Sequence, residues 1–363
     1  MERRKFLTTA GSAGLAGIIA TGMAPAVHGQ TKQIKWRLAS SFPKALDTIY
    51  GGAEDFANIV KDMSGGRLTI DVHAGGELVP PFGVVDAVKD GTIDCAHTAS
   101  YYFFGKDPTF AMDCAIPFGL NSRQMTAWMY QGNGLTLFRE FFANYGIVNF
   151  PCGNSGTQMG GWYRKPLKSL ADIKGLKMRI GGFSGTILAA LGGTPQNIPG
   201  GEIYGALEKG VIDAVEWIGP YDDQKLGFYR VCKNYVFPAW WEGGPQLTLY
   251  VGKKAFDSLD SDLKAIVSAA ASHSHIKMQA KYDAWNPKAL RELVAQGTVV
   301  QQMPKDIMDA AWAASQDKYN DLSKTNPAWK KIYTDYAAFR KEQVQWFSIA
   351  EFSYDSFMQT VKL

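Results

Sequence analysis

The sequence predicts an α/β protein built as two lobes, and three observations carry that prediction. Apolar strand-like runs alternate with helical segments along most of the chain, the rhythm of a parallel or mixed sheet flanked by helices. At 363 residues the chain exceeds what one ordinary core accommodates. One pattern also occurs twice. "VVDAVKDGTIDCAHTA" (Val84–Ala99) and "IYGALEKGVIDAVEWI" (Ile203–Ile218) each give a helix, a charged turn with Gly, an "ID" and an apolar strand. Either the two lobes share a construction, or both segments are the same local solution to the same turn. Ligands of such lobes bind at the strand ends.

The first 29 residues read as an export signal. "MERRKFLTTAGSAGLAGIIATGMAPAVHG" has a basic start, an uncharged Ala- and Gly-rich run from Thr8 to Val27, and small residues near Val27 and Gly29. The apolar part is too short and too weakly hydrophobic for a membrane span. Arg3–Arg4 followed by Phe6–Leu7 has the form of a twin-arginine signal; the alternative is an ordinary export signal with a basic start. Removal of Glu2, Arg3, Arg4 and Lys5 lowers the formal net charge from +4 to +2. That near-neutral balance argues against a general nucleic-acid binder.

The elements then follow in order. "IKWRLASSF" (34–42) is a strand with a polar exit, and "DTIYGGAEDFANIVKDMSGG" is a helix stopped by Gly65–Gly66. "RLTIDVHAGG" alternates as a second strand, "PPFGVVDAVKDGTID" holds a helix, and "CAHTASYYF" is a buried strand. The same rhythm recurs: strand "IVNFPCGN", helical turn "SLADIKG", strand "LKMRI", helix "SGTILAALGG", helix "GEIYGALEKGVID", strand "AVEW". After Pro327 there is no further Gly or Pro, and an aromatic-rich stripe of imperfect helical spacing runs to the end. At about 1.5 Å per residue, one continuous helix here spans roughly 50 Å. Such a helix either lies across both lobes or is buried against a second chain.

Catalytic signatures are missing. "GNSGTQ" and "GFSGT" do not match the G-x-S-x-G elbow, and there is neither a GxGxxG nor a P-loop. His273 and His275 sit two apart on a helix, so they point about 160° apart and share no metal. Cys95, Cys114, Cys152 and Cys232 form no CxxC pair. A disulfide is open to an exported chain, but each cysteine sits in an apolar run and reads as a buried free thiol. What remains are polar groups on short loops after strands: Gln158 in "GNSGTQMGG", Arg179 in "LKMRIGG", Glu216 and Trp217 in "AVEWIG", Glu242 in "PAWWEGGPQ", and Tyr101–Tyr102 after "CAHTAS". Arg179 either points to solvent from an edge strand or grips an anion in a cleft. Its fork matches a carboxylate bidentately, and its burial demands a compensating anion. Glu216 is either a structural partner of Arg179 or, with an amide oxygen and a main-chain carbonyl, part of a hard-oxygen site for Na⁺ or Ca²⁺.

At these residues the sequence resembles the periplasmic solute-binding subunits of TRAP (tripartite, ATP-independent) transporters, over essentially the whole mature chain. "LKSLADIKGLKMRI" is the most specific part. "VVDAVKDGTIDCAHTASYYFFGKDP", "EKGVIDAVEWIGPYDD" and the C-terminal extension are similar to the branch that binds α-keto acids such as pyruvate. The resemblance implies a two-lobe periplasmic binding protein fold with crossing strands and a long C-terminal helix. It implies lobe I at 30–153 and 243–326, lobe II at 154–242, and a helix at 327–363 that forms a swapped homodimer. Arg179 then clamps the carboxylate, while Gln158, Glu216 and the Trp217 carbonyl match a bound-cation site. Glu242 and Tyr101 match in local motif only, and with Gln158 are carried as ligand-side residues, with Glu242 also beside the cation. The implied protein is no enzyme. It captures a 2-oxo monocarboxylate in the periplasm and hands it to membrane permease subunits after a hinge closure. Related members take lactate with Ca²⁺ or other monocarboxylates, so lactate or another 2-hydroxy acid with Ca²⁺ is the alternative ligand. The rivals are a keto-acid lyase or aldolase using Lys or Glu as base, and a sensor that binds without transporting.

Overall fold

Residues 33–361 are described by a computed structural model, so the export signal read at 1–29 lies outside the described residues. The strands run β1 (Ile34–Ser40), β2 (Leu68–His73), β3 (Cys95–Thr98), β4 (Ile147–Asn154), β5 (Trp162–Tyr163) and β6 (Lys177–Arg179). They continue as β7 (Thr194–Gln196), β8 (Ala214–Val215), β9 (Asn234–Phe237), β10 (Gln246–Gly252) and β11 (Val299–Gln302). They form a five-stranded sheet, β2-β1-β3-β10-β4, and a six-stranded sheet, β7-β6-β8-β5-β9-β11.

The two sheets repeat one plan. In the first, β1 pairs in parallel with β2 and β3, then β10 and β4 join antiparallel. In the second, β6 pairs in parallel with β7 and β8, then β5 and β9 join antiparallel. The duplicated sequence pattern falls at equivalent places: helix Val84–Lys89 leads into β3, and helix Ile203–Glu208 leads into β8. The echo is therefore a shared construction of both lobes rather than a coincidence of turns.

Two chain segments cross between the sheets, from β4 to β5 and from β9 back to β10. They run against each other: Ser155 N donates to Pro245 O at 3.3 Å, Gln158 N to Glu242 O at 3.2 Å, and Ala239 N to Gln158 O at 3.1 Å. A third link is the 35-residue helix Ser261–Ala295. It packs on β4 and on helix Ile49–Met63 of the first lobe, then on helix Pro220–Leu226 of the second. His275 on this helix is buried, and no group of three or more His, Cys, Asp or Glu is placed to hold a metal among the described residues.

The pairing departs from the expected lobe boundaries in one respect. The range 243–326 holds β10 of the first sheet, yet β11 within it pairs in parallel with β9 of the second. Leu170 N also donates to Asp306 Oδ2 at 2.8 Å, which ties the segment after β11 to the second lobe. The long helix carries the chain across without a glycine-rich break, so composition marks no boundary there.

The C-terminal region also differs from one unbroken helix. Helix Pro327–Ile349 ends at Ala350 (φ −84°, ψ −90°), and a separate helix, Glu351–Met358, follows. The first of these braces the lobes. Trp329, Ile332 and Tyr336, at helical spacing, are buried. Leu120 N donates to Tyr336 OH at 2.6 Å, and Trp128 Nε1 donates to Asp335 Oδ1 at 2.7 Å. Trp329 stacks on Phe183 of the second lobe, 5.5 Å between ring centres. Cys95, Cys114, Cys152 and Cys232 are all free and buried. No described helix is long and apolar enough to cross a membrane.

Candidate ligand and cation site between the lobes

β6 is not an edge strand: it lies between β7 and β8, and Arg179 is 1% exposed. The solvent reading of that arginine therefore falls. Its Nε donates to Ile198 O at 3.2 Å, and Nη1 donates to Glu216 O at 2.8 Å and to Glu216 Oε1. The guanidinium lies over the Trp217 ring, 5.0 Å from its centre. Nη2 is buried with no partner. A guanidinium with one arm of its fork unspent inside a protein is set up for an acceptor from outside the chain.

The two glycines after the arginine have a steric reason. A Cβ on Gly181 would stand 2.7 Å from the Tyr101 ring, and one on Gly182 would stand 2.4 Å from the Tyr101 carbonyl oxygen. Gly182 also has φ +45°, in the left-handed region. The turn of the first lobe that carries Tyr101 thus rests directly on the second lobe beside Arg179. Gly181 N donates to Glu216 Oε1 at 2.9 Å, placing that carboxylate at the N-terminus of helix Gly182–Ala190.

Glu216 follows β8, while Gln158 and Glu242 face each other on the crossing segments. Gln158 Nε2 donates to Ser155 Oγ at 3.1 Å. Three acceptors remain buried and unpartnered: Gln158 Oε1, Glu216 Oε2 and Glu242 Oε2. Buried acceptors without partners are costly, about 1–3 kcal/mol each and more for charged groups. Two carboxylates and an amide oxygen are the donor set a hard cation prefers, so these residues fit Na⁺ or Ca²⁺.

The electrostatics agree. Burial opposes charge on Arg179, but Glu216, Tyr102, Tyr101 and Glu242 together hold it firmly cationic, above its ordinary pKa. Burial pushes the Glu216 carboxyl up, with Arg179 and the Gly181 N–H pulling against it. Burial, with Glu216 nearby, pushes Glu242 well above the carboxylate range. One arginine cannot neutralise both carboxylates, so a cation held between them would supply the missing charge.

A cavity of about 10 Å³, measured as room for the centre of a water molecule, opens on this cluster. Gln158, Tyr101 and Trp217 line it, whereas Arg179, Glu216 and Glu242 are not among its lining residues. The rest of the wall is mostly apolar, including Phe42, Ile49, Ile218 and Leu247, with hydroxyls from Ser155 and Tyr102. Those four and Ser155 were not singled out in the sequence. Ser155 lies in "GNSGTQ", whose glycines read only as a turn.

Two sheets of one plan, joined by crossing segments that place polar groups beside an interlobe cavity, form a ligand-binding cleft between lobes. The family model for bacterial extracellular solute-binding proteins, family 7, matches residues 39–326, and the chain belongs to this family of TRAP-type solute-binding proteins. It is 42% identical over 361 residues to a monocarboxylate 2-oxoacid-binding periplasmic protein of Nostoc, covering 98% of this chain and 99% of that one. A TRAP transporter solute-binding protein of Bordetella bronchiseptica is 47% identical, with a TM-score of 0.89 over 90% of this chain and 97% of that one. That structure is a mixed-occupancy dimer, with copurified calcium and picolinate in one active site against an apo site. A protein of Pseudoalteromonas atlantica with bound sodium and pyruvate is 34% identical, with a TM-score of 0.86 over 91% and 100% of the two chains.

Proposed function

We propose that this chain captures a small 2-oxo monocarboxylate of the pyruvate class outside the cytoplasm and delivers it to the membrane subunits of a TRAP transporter. Arg179 takes the carboxylate. Gln158, Glu216 and Glu242 hold a Na⁺ or Ca²⁺ ion, together with the Trp217 carbonyl, and Tyr101 closes the site from the first lobe. The observation that carries this reading is the convergence of one unspent guanidinium arm and three unspent oxygen acceptors, all buried, on one interlobe cluster. An anionic ligand satisfies the first and a cation the second. The ligands in the Nostoc and Pseudoalteromonas relatives support the class of molecule. Export through a twin-arginine signal at 1–29 and pairing through the C-terminal helices belong to the same proposal.

Calorimetry tests it. Pyruvate is titrated into chelator-stripped protein and again after Na⁺ or Ca²⁺ is restored, with binding expected only in the second case. Arg179→Lys keeps the charge and loses the fork, so affinity falls at least tenfold, about 1.4 kcal/mol. Unchanged affinity in that variant removes Arg179 from the site, and full binding without metal removes the cation.

A further inference from the structure

Thr48 is the N-cap of helix Ile49–Met63 in the first lobe, directly before Ile49 of the cavity wall. Its Oγ1 donates to Asp222 Oδ1, on helix Pro220–Leu226 of the second lobe. Both residues are fully buried. The other oxygen of Asp222 accepts from Tyr282 OH, 2.8 Å away on the long linking helix. Around this buried bond lies a polar rim: Tyr221 OH donates to Asp47 Oδ2 at 3.1 Å, and Lys225 Nζ to Asp47 Oδ1 at 2.5 Å. The cavity wall adjoins the contact on both sides. Ile49 follows Thr48 in the chain. Ile218 N donates to Asp223 Oδ1 at 3.3 Å, and Asp223 Oδ2 is fixed by Trp162 Nε1 at 3.0 Å and Tyr235 OH at 2.7 Å.

We infer that Thr48 and Asp222 are positioning residues for ligand retention, whose bond between the lobes holds Ile49 and Ile218 as opposing walls and slows release without touching the ligand. The inference rests on the reading that the ligand occupies this cavity. Parting the lobes strips Asp222 of its Thr48 donor, leaving one carboxylate oxygen short of a partner. The outer Asp47–Lys225 pair is solvent-exposed and adds little. Capture proceeds from the open form, where the bond is not yet made, so the bond acts on departure rather than arrival. The "GPYDD" run shortly after β8 and Glu216 thereby gains a role: Tyr221 and Asp222 reach the other lobe, and Asp223 ties the helix to its own sheet.

Stopped-flow fluorescence with pyruvate and CaCl₂ tests the inference, Trp217 being the reporter in the cavity wall. Thr48→Val keeps shape and removes the donor. Release is expected to quicken at least fivefold, association to change less than twofold, and Thr48→Ser to restore slow release. Thr48→Ala serves the same purpose should the valine fail to pack. Arg179→Lys separates the two claims. If it weakens pyruvate binding while both Thr48 variants release as slowly as the native protein, the latch is overturned and the ligand reading stands. If Arg179→Lys binds as the native protein does, the ligand reading falls first. A lowered melting temperature in the Thr48 variants with unchanged release assigns Thr48 to structure alone and overturns the inference.

Discussion

Arg179 is the residue on which the functional reading turns, because a buried guanidinium cannot be neutral and cannot be idle. Its ion pair with Glu216 accounts for one arm, and the second arm is what distinguishes a receiving site from a structural salt bridge. Asp222 poses the opposite problem, a buried carboxyl held by hydroxyls alone. Burial pushes it from 3.8 up to about 6, with Thr48 and Tyr282 pulling against that rise. Folding therefore favours its protonated form. The stability this group gives is complete below pH 3.8 and is lost as pH climbs towards 6, since the unfolded chain sheds the proton first. Asp222→Asn stays neutral at every pH. Relative to the native protein, its unfolding free energy is expected to rise across that interval by up to about 3 kcal/mol. Urea unfolding of both proteins at pH 4 and pH 7 checks this. A difference that stays level with pH would mean that Asp222 ionises as an ordinary surface carboxylate does.

Among the elements, the glycines flanking β6 separate two kinds of constraint. Gly175, in the turn before the strand, has φ +75° and open space around its missing Cβ. Gly175→Ala meets only backbone strain, about 1–2 kcal/mol. Gly182→Ala adds a collision with the Tyr101 carbonyl of the other lobe, which cannot turn aside as a side chain does. Its expected outcome is a larger loss of stability together with weaker ligand binding, whereas Gly175→Ala binds normally. Melting curves and pyruvate titrations on the two variants measure the contrast. The same elements mark what was legible beforehand. Arg179, Glu216, Gln158 and Glu242 follow strands or sit in Gly-flanked loops, so their types and places stood out in the sequence. The apolar wall did not, because Phe42, Ile49 and Leu247 look like any core residue until two distant segments meet. β5, β7 and β8 are two or three residues long, below what alternation can reveal, though β8 was seen through the echo that precedes it. The long linking helix buries Leu263, Val267, Ala270, Ser274, Met278 and Tyr282 at helical spacing, but such a stripe does not say which lobe receives it.

For the whole molecule, the last 35 or so residues contain two different surfaces, and only one is satisfied within the chain. Trp329, Ile332 and Tyr336 are buried as a brace, and Arg340 Nη1 still reaches Phe118 O at 2.9 Å. Beyond that point Val344, Trp346, Ile349, Phe352, Tyr354 and Phe357 are each more than half exposed. Isolated apolar residues on a surface need no explanation, but six within fourteen positions of two successive helices form a patch of the kind that pairs chains. A second copy bearing the same patch would close a two-fold contact, and exchanged helix ends would achieve it with no new surface. Removing everything after Pro327 would strip the brace as well and expose the groove it fills, so aggregation would obscure the answer. A chain ending at Glu342 keeps Trp329, Ile332, Tyr336 and Arg340 and loses the whole patch. In sedimentation at micromolar concentration the full-length protein is expected to run as a dimer. The shortened one is expected to run as a monomer that melts within a few degrees of the parent and still binds pyruvate. A full-length protein that sediments as a monomer under those conditions would remove the pairing role, leaving the brace as the sole work of the C-terminal helices.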